Sequence, residues 1–308
     1  MCLVRGEQRT ETSAGSDEAE KNTGWHARRG RLLTPSAPFG VMGIVNLTPD
    51  SFYDGGAHAT AEAGIAHALR LVAEGADIVD IGAETTKPGA KELAPREEQS
   101  RLLPVLAALR RTTPDITVSV DTYHAGTAAA ALDLGATVVN DISACAFDPE
   151  LLDVLVQYKP GYVLMHSRGC PKNMQHNPRY DNVRREVTTF FERELTRLTG
   201  AGLPEDRIAL DPGIGFGKTL AHNTALLAHP EDWLSFGRPV LAALSMKSVF
   251  GDLLYLPTAA RGAATQVATA LLWSRGVFWH RVHDVTATRR SLVLAAALRP
   301  PERECGRV

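Results

Sequence analysis

The feature that most restricts how this 308-residue chain can fold is a repeat of polarity. Eight short apolar runs each end on polar or ionisable residues, and a longer segment with helical spacing follows each one. The runs are Val41–Val45, Ile78–Ile81, Ile116–Val120, Val138–Val139, Tyr162–Met165, Ile208–Leu210, Val240–Leu244 and Val277–Trp279. Short runs of this kind read as strands buried on both faces, and their alternation with helices implies parallel strands joined by crossovers. Apolar stripes support the helices: Ile65, Leu69 and Val72; Leu102, Val105, Leu106 and Leu109; then Val187, Phe190, Phe191, Leu195 and Leu198. Pro104 lies within the second stripe and should bend that helix or mark a late start. The last helix is expected at roughly 287–297. Eight units in about 260 residues fit an α/β (β/α)8 TIM barrel as a single domain over 25–300, with a doubly wound open sheet as the alternative.

The flanks are different. Residues 1–24 are polar, small and mixed in charge, which predicts a disordered tail, and 301–308 read as a frayed end. Between Trp25 and Phe39, Arg28, Arg29 and Arg31 make a basic patch. A short hairpin closing the bottom of the barrel is the preferred reading there, and a phosphate site the other. A formal net charge of −2 argues against a nucleic-acid or anionic-membrane partner. No apolar run approaches the roughly 18 residues that span a bilayer, and no basic-then-apolar leader is visible, so a cytoplasmic location is expected. Cys2, Cys145, Cys170 and Cys305 show no CxxC spacing, which argues against a disulfide framework or a thiolate metal site.

The strand ends carry the chemistry. In order they offer Asn46; Glu84 just after Asp80; Asp121; Asn140 with Asp141; His166; Asp211; Ser245 with Lys247; and Arg281 with His283 and Asp284. One such residue is most often a helix cap, but eight endings on one rim are where barrel enzymes assemble active sites. Asp121, Asn140, Asp211 and Lys247 suit a flat heterocycle with several N–H and C=O edges. Asn46, Arg281 and His283 suit a phosphate or diphosphate, and the Asn46 oxygen could hold Mg2+. The stretch DPGIGFGKT at 211–219 misses the phosphate-loop pattern GxxxxGK[ST] because Pro212 stands at the first glycine. Its glycines are read as letting backbone approach a ring. His176 and His222 have no zinc-site spacing.

Eight segments together resemble the dihydropteroate synthase family, the pterin-binding enzymes targeted by sulfonamides. They are GIVNLTPDSFYDGG at 43–56, DIGAETTKPGA at 80–90, SVDT at 119–122, NDIS at 140–143, VLMH at 163–166, DPGIGFGKT at 211–219, SMKS at 245–248 and RVHDV at 281–285. They run in the family's order and span 41 to about 298. The resemblance implies a transferase that condenses 6-hydroxymethyl-7,8-dihydropterin diphosphate with 4-aminobenzoate to 7,8-dihydropteroate and diphosphate, with Mg2+ as cofactor and a homodimer as the assembly. It places pterin contacts on Asp121, Asn140, Asp211 and Lys247, and diphosphate contacts on Asn46, Thr86, Arg281 and His283, with the metal at Asn46. Aminobenzoate contacts fall on Phe52, Thr86, Pro88 and Ser245, and catalysis on Asp121, Asp211, Lys247 and Arg281.

The chain departs from the family at Ala83, Lys87 and Met246, where glycine, arginine and arginine are usual, and Ala242-Ala243 stand near a frequent glycine. These changes are expected to reshape the aminobenzoate side and spare pterin binding. Two other readings remain: a non-catalytic pterin-binding paralogue and a methyltetrahydrofolate-dependent corrinoid methyltransferase.

Overall fold

The computed structural model describes residues 24–48, 57–84 and 93–299. Eight parallel strands form one sheet: β3 (Gly40–Asn46), β4 (Ile78–Gly82), β5 (Thr117–Asp121), β6 (Val138–Asp141), β7 (Gly161–Met165), β8 (Ile208–Asp211), β9 (Leu241–Ala242) and β10 (Trp279–Val282). Their lateral order is β8-β7-β6-β5-β4-β3-β10-β9. A parallel bridge between Leu210 and Val240 joins the two ends, with Leu210 N donating to Pro239 O at 2.8 Å, so the sheet closes into a barrel. The expected barrel is thus present and the open sheet is not.

Alternation along the strands sorts the side chains. Outward residues such as Val41, Val45, Val79, Ile81, Val118, Val120 and Leu164 pack with the helices into the main core. Inward residues of the lower barrel, Met42, Ile78, Val138, Val163, Ala209, Leu241 and Trp279, form a second cluster with Trp25, Ala27 and Leu33. Those last three come from an antiparallel hairpin, β1 (Trp25–Ala27) with β2 (Arg31–Leu33). Trp25 is fully buried edge-on to Trp279, at 5.5 Å between ring centroids, and its Nε1 donates to Arg207 O. The hairpin therefore plugs the amino-terminal mouth, as its sequence suggested, and leaves the carboxyl-terminal mouth for chemistry.

Two local expectations change. The helix at Pro95–Thr112 starts with proline in its first turn and runs on through Pro104, so the late start is not found. The final strand lies at Trp279–Val282, not Val277–Trp279. Its hydrogen bonds run past the apolar run into the polar residues, which sets Arg281 inside the barrel beside Met42 of β3.

Candidate active site

Register builds the site. Asn46, Gly82, Asp121 and Asn140 pair in sequence across β3, β4, β5 and β6, so all four share one level and one inward face. Gly82 contributes no side chain, and a Cβ there would lie 3.1 Å from the Asp121 Cβ, so glycine keeps this floor open. Asp211 ends β8 opposite Met165 of β7.

Below this level sits Asp80, fully buried on β4. It accepts from Arg281 Nε at 2.6 Å and from Asn140 Nδ2 at 3.1 Å. Arg281 Nη2 donates to Asp121 Oδ2, also at 2.6 Å. One guanidinium is thus held between two carboxylates, and Asn140 is locked with its amide nitrogen inward and its oxygen left to accept. Burial pushes the Asp121 carboxyl up to about 7; Arg281 opposes the rise, and Asp80 adds to it. Sequence reasoning separated Arg281 from the acids and assigned it to diphosphate; the structure seats it among them. It named Asp80 beside Glu84 but gave it no role, because a position inside a strand reads as ordinary until register shows that it faces inward.

Asp211 is buried and accepts from Gly213 N through Oδ1 at 2.7 Å; burial raises its carboxyl, and Lys247 opposes the rise. Lys247 reaches inward over the Phe216 ring, 4.7 Å from its centroid, and donates to Ile214 O. Enclosure brings its ammonium down to about 8, with Asp211 holding it up against Arg281. Phe216 packs with Tyr123, Ile142 and Met165 into a small apolar cluster that gives the polar group a wall. No sequence pattern distinguishes these residues from core.

His283 and Ser245 form a third element. His283 Nδ1 lies 2.8 Å from Ser245 Oγ, and its backbone N–H donates to the same oxygen. The residues implied for diphosphate and for aminobenzoate are therefore coupled. Asn46 lies half-buried at the end of β3. Phe52, Thr86 and Pro88, with Lys87, lie outside the described residues.

Other rim residues serve the scaffold. Asp141 faces outward and accepts from Ser143 N, Ser143 Oγ, Cys145 N and Tyr162 OH, and Asp284 caps the last helix through Ala287 N. His166 is committed to Lys218, whose buried Nζ lies 2.8 Å from its Nδ1 and donates to the carbonyls of His166, Gly213 and Phe216. Burial and Lys218 push the His166 imidazole down to about 2. The near-match to a phosphate loop is explained by this brace: its lysine ties the loop to β7. Two of its glycines answer to packing. At Gly213, φ is +65° and a Cβ would stand 1.9 Å from His166 O; at Gly217 it would stand 2.3 Å from Arg168 O.

The departures from the family pattern are also placed. Ala83 is buried in the helix-side core and does not point at the site. Met246 takes a left-handed backbone at φ 60°, held by its N–H to Thr265 Oγ1 and by Arg261 on its carbonyl. Ala242 is likewise core, and Ala243 is half-buried. A cavity of about 770 Å3 beside the barrel, lined by Phe147, Arg168, Cys170, Arg185 and Arg193 among others, contains none of the inward acids or Lys247.

Comparison with known proteins agrees with this geometry. The model of the family described as pterin binding enzyme matches residues 42–283. The dihydropteroate synthase of Neisseria meningitidis serogroup C is 42% identical over 262 residues, covering 84% of this chain and 92% of its own length. Among solved structures, Xanthomonas albilineans dihydropteroate synthase with 4-aminobenzoic acid superposes with a TM-score of 0.81 at 41% identity, covering 89% of this chain and 99% of its own. The same enzyme in complex with 7,8-dihydropteroate gives 0.78 at 39% identity, over 89% of this chain and 100% of its own. The chain belongs to the pterin-binding enzyme family, among the dihydropteroate synthases.

Proposed function

We propose that this barrel condenses 6-hydroxymethyl-7,8-dihydropterin diphosphate with 4-aminobenzoate, forming 7,8-dihydropteroate and diphosphate as a step of folate biosynthesis. The observation that carries the reading is the buried chain Asn140–Asp80–Arg281–Asp121, set at one mouth with Asp211 and Lys247. Asp121, Asn140, Asp211 and Lys247 take the pterin: the Asn140 oxygen and the second oxygen of Asp211 accept ring N–H groups, and Lys247 donates to ring acceptors.

The charges favour one path. With Asp121 ionised, two carboxylates enclose one guanidinium and Lys247 balances Asp211, so the pocket is net negative. Such a pocket stabilises positive charge on the pterin as the methylene–oxygen bond breaks, worth about 3 kcal/mol for a strong preorganised group. The aminobenzoate nitrogen then attacks the methylene, the new C–N bond replaces the broken C–O bond, and the proton that nitrogen loses passes to the departing diphosphate. No protein nucleophile takes part. Asp121, Asp211, Lys247 and Arg281 are the catalytic residues in this scheme, with Arg281 acting on the pterin side first and on diphosphate second.

Diphosphate is assigned to Asn46, His283, Arg281 and Thr86, and aminobenzoate to Ser245, Phe52, Thr86 and Pro88; Phe52, Thr86 and Pro88 lie outside the described residues. The bond between Ser245 and His283 supports adjacent subsites for leaving group and nucleophile. Mg2+ fits this donor set: Asn46 offers one hard amide oxygen, Asp80 and Asp121 are engaged by Arg281, and diphosphate would supply the further oxygens that such an ion prefers. Held there by Asn46, the ion would neutralise charge on the leaving group.

A homodimer is supported by exposed apolar side chains on three helices, two of which, Gly262–Ser274 and Val285–Leu298, pack side by side. Leu253, Leu254 and Tyr255, then Val267 and Leu271, then Val293, Leu294 and Leu298 are exposed on or beside three consecutive helices, Ser248–Leu254, Gly262–Ser274 and Val285–Leu298. Among the described residues no helix is long and apolar enough to cross a membrane, which is compatible with a cytoplasmic enzyme. Diphosphate release that requires both substrates tests the function directly.

A further inference from the structure

We propose that Glu84, Glu98 and His124 form a binding site for a divalent transition-metal ion of the zinc type, separate from the Mg2+ proposed at Asn46. Glu84 follows β4, Glu98 lies in the first turn of the Pro95–Thr112 helix, and His124 is the cap of the next helix, Ala125–Asp133. One ligand atom from each lies within 4.8 Å of the others.

The arrangement leaves acceptors unused where a cation would take them. Glu98 is fully buried; its Oε2 lies 3.1 Å from His124 Nδ1, while its Oε1 has no hydrogen-bond partner among the described residues. Glu84 Oε1 accepts from Tyr123 OH at 3.0 Å and Leu93 N at 3.3 Å, while its buried Oε2 has no partner among the described residues. Two buried lone oxygens in one cluster are costly unless a cation takes them. Two carboxylates balance one divalent ion, whereas a protonated imidazole balances only one of them.

The geometry and ligand types agree. Ligand atoms about 2.0 Å from a tetrahedral zinc stand about 3.3 Å apart; His124 Nδ1 and Glu98 Oε2 stand at 3.1 Å, and the three residues' ligand atoms lie within 4.8 Å, so binding would draw the Glu84 oxygen inward. A set of one imidazole and two carboxylates suits zinc or cobalt better than Mg2+, which prefers oxygen alone. Tyr123 and Leu93 N orient Glu84 as outer-shell partners orient metal ligands. An ion here would tie residues 84 and 93 to the Pro95–Thr112 helix and to the end of β5.

The test is a titration of the full chain, first stripped with a chelator, using Co2+ followed by its visible absorption and Zn2+ followed by calorimetry. One equivalent per chain is expected, with Glu84→Gln and His124→Ala each weakening binding about tenfold or more and Asn46→Ala leaving it unchanged. Absence of stoichiometric Co2+ or Zn2+ binding by the unaltered chain would overturn the site, whatever the variants do. Equal binding by folded Glu84→Gln and His124→Ala proteins would overturn it as well.

Discussion

Arg281 donates to Asp121 at 2.6 Å across 160 positions of sequence, and the contact joins the last strand of the barrel to the third. Asp80 holds the other edge of the same guanidinium at 2.6 Å. The cation is therefore aimed before any substrate arrives, and Asp80 does the aiming without lying at the rim.

Asp80→Asn should leave the barrel folded and lower kcat/KM for the pterin diphosphate by about 10- to 100-fold, the cost of weakening one charge-assisted bond at Arg281. Steady-state kinetics with each substrate varied in turn measures it. An unchanged kcat/KM would show that Arg281 needs only Asp121.

The Asp121 carboxyl, raised to about 7, predicts a pH dependence. Pterin binding and kcat/KM should rise through pH about 7 as the carboxylate forms, and Asp121→Asn should remove that inflection. Stability runs the other way. The folded chain holds this proton more tightly than the unfolded chain, so the group's contribution is fully present below its ordinary value near 3.8 and is lost as pH rises through about 7. Denaturant midpoints of the Asp121→Asn protein should therefore fall less over that window than those of the unaltered protein.

Lys218→Met should destabilise the fold by about 3 kcal/mol, because the imidazole and carbonyls that Lys218 serves would be left buried without a donor. Chemical denaturation checks the size, and calorimetry with ATP should show no binding before or after the change. Nucleotide binding lost with Lys218 would restore the phosphate-loop reading.

These residues also show where sequence was sufficient. Barrel architecture was legible because apolar runs and helical stripes repeat with two distinct periods, and the plug was legible in the hairpin pattern at Trp25–Phe39. Asp121, Asn140 and Asp211 were legible because each closes a run. Asp80 was not, since a strand buried on both faces hides which side a mid-strand acid takes; nor was the place of Arg281, whose strand continues beyond its apolar run. The glycines at 213 and 217 were seen, but the backbone they approach belongs to β7 and its loop, which spacing alone cannot show.

The exposed apolar side chains make a prediction for assembly. Val267→Glu with Leu271→Glu should convert a dimer to a monomer in sedimentation equilibrium, with the melting transition still cooperative. A doubly substituted chain that still sediments as a dimer would move the interface elsewhere.

The most direct measurement of the central claim is the reaction itself, with purified chain, pterin diphosphate, 4-aminobenzoate and Mg2+. Diphosphate and dihydropteroate should appear in equal amounts, and only when both substrates are present. Tight pterin binding with no product would contradict catalysis and leave a pterin-binding protein, and methyl transfer from methyltetrahydrofolate to a corrinoid protein would contradict the assigned chemistry altogether.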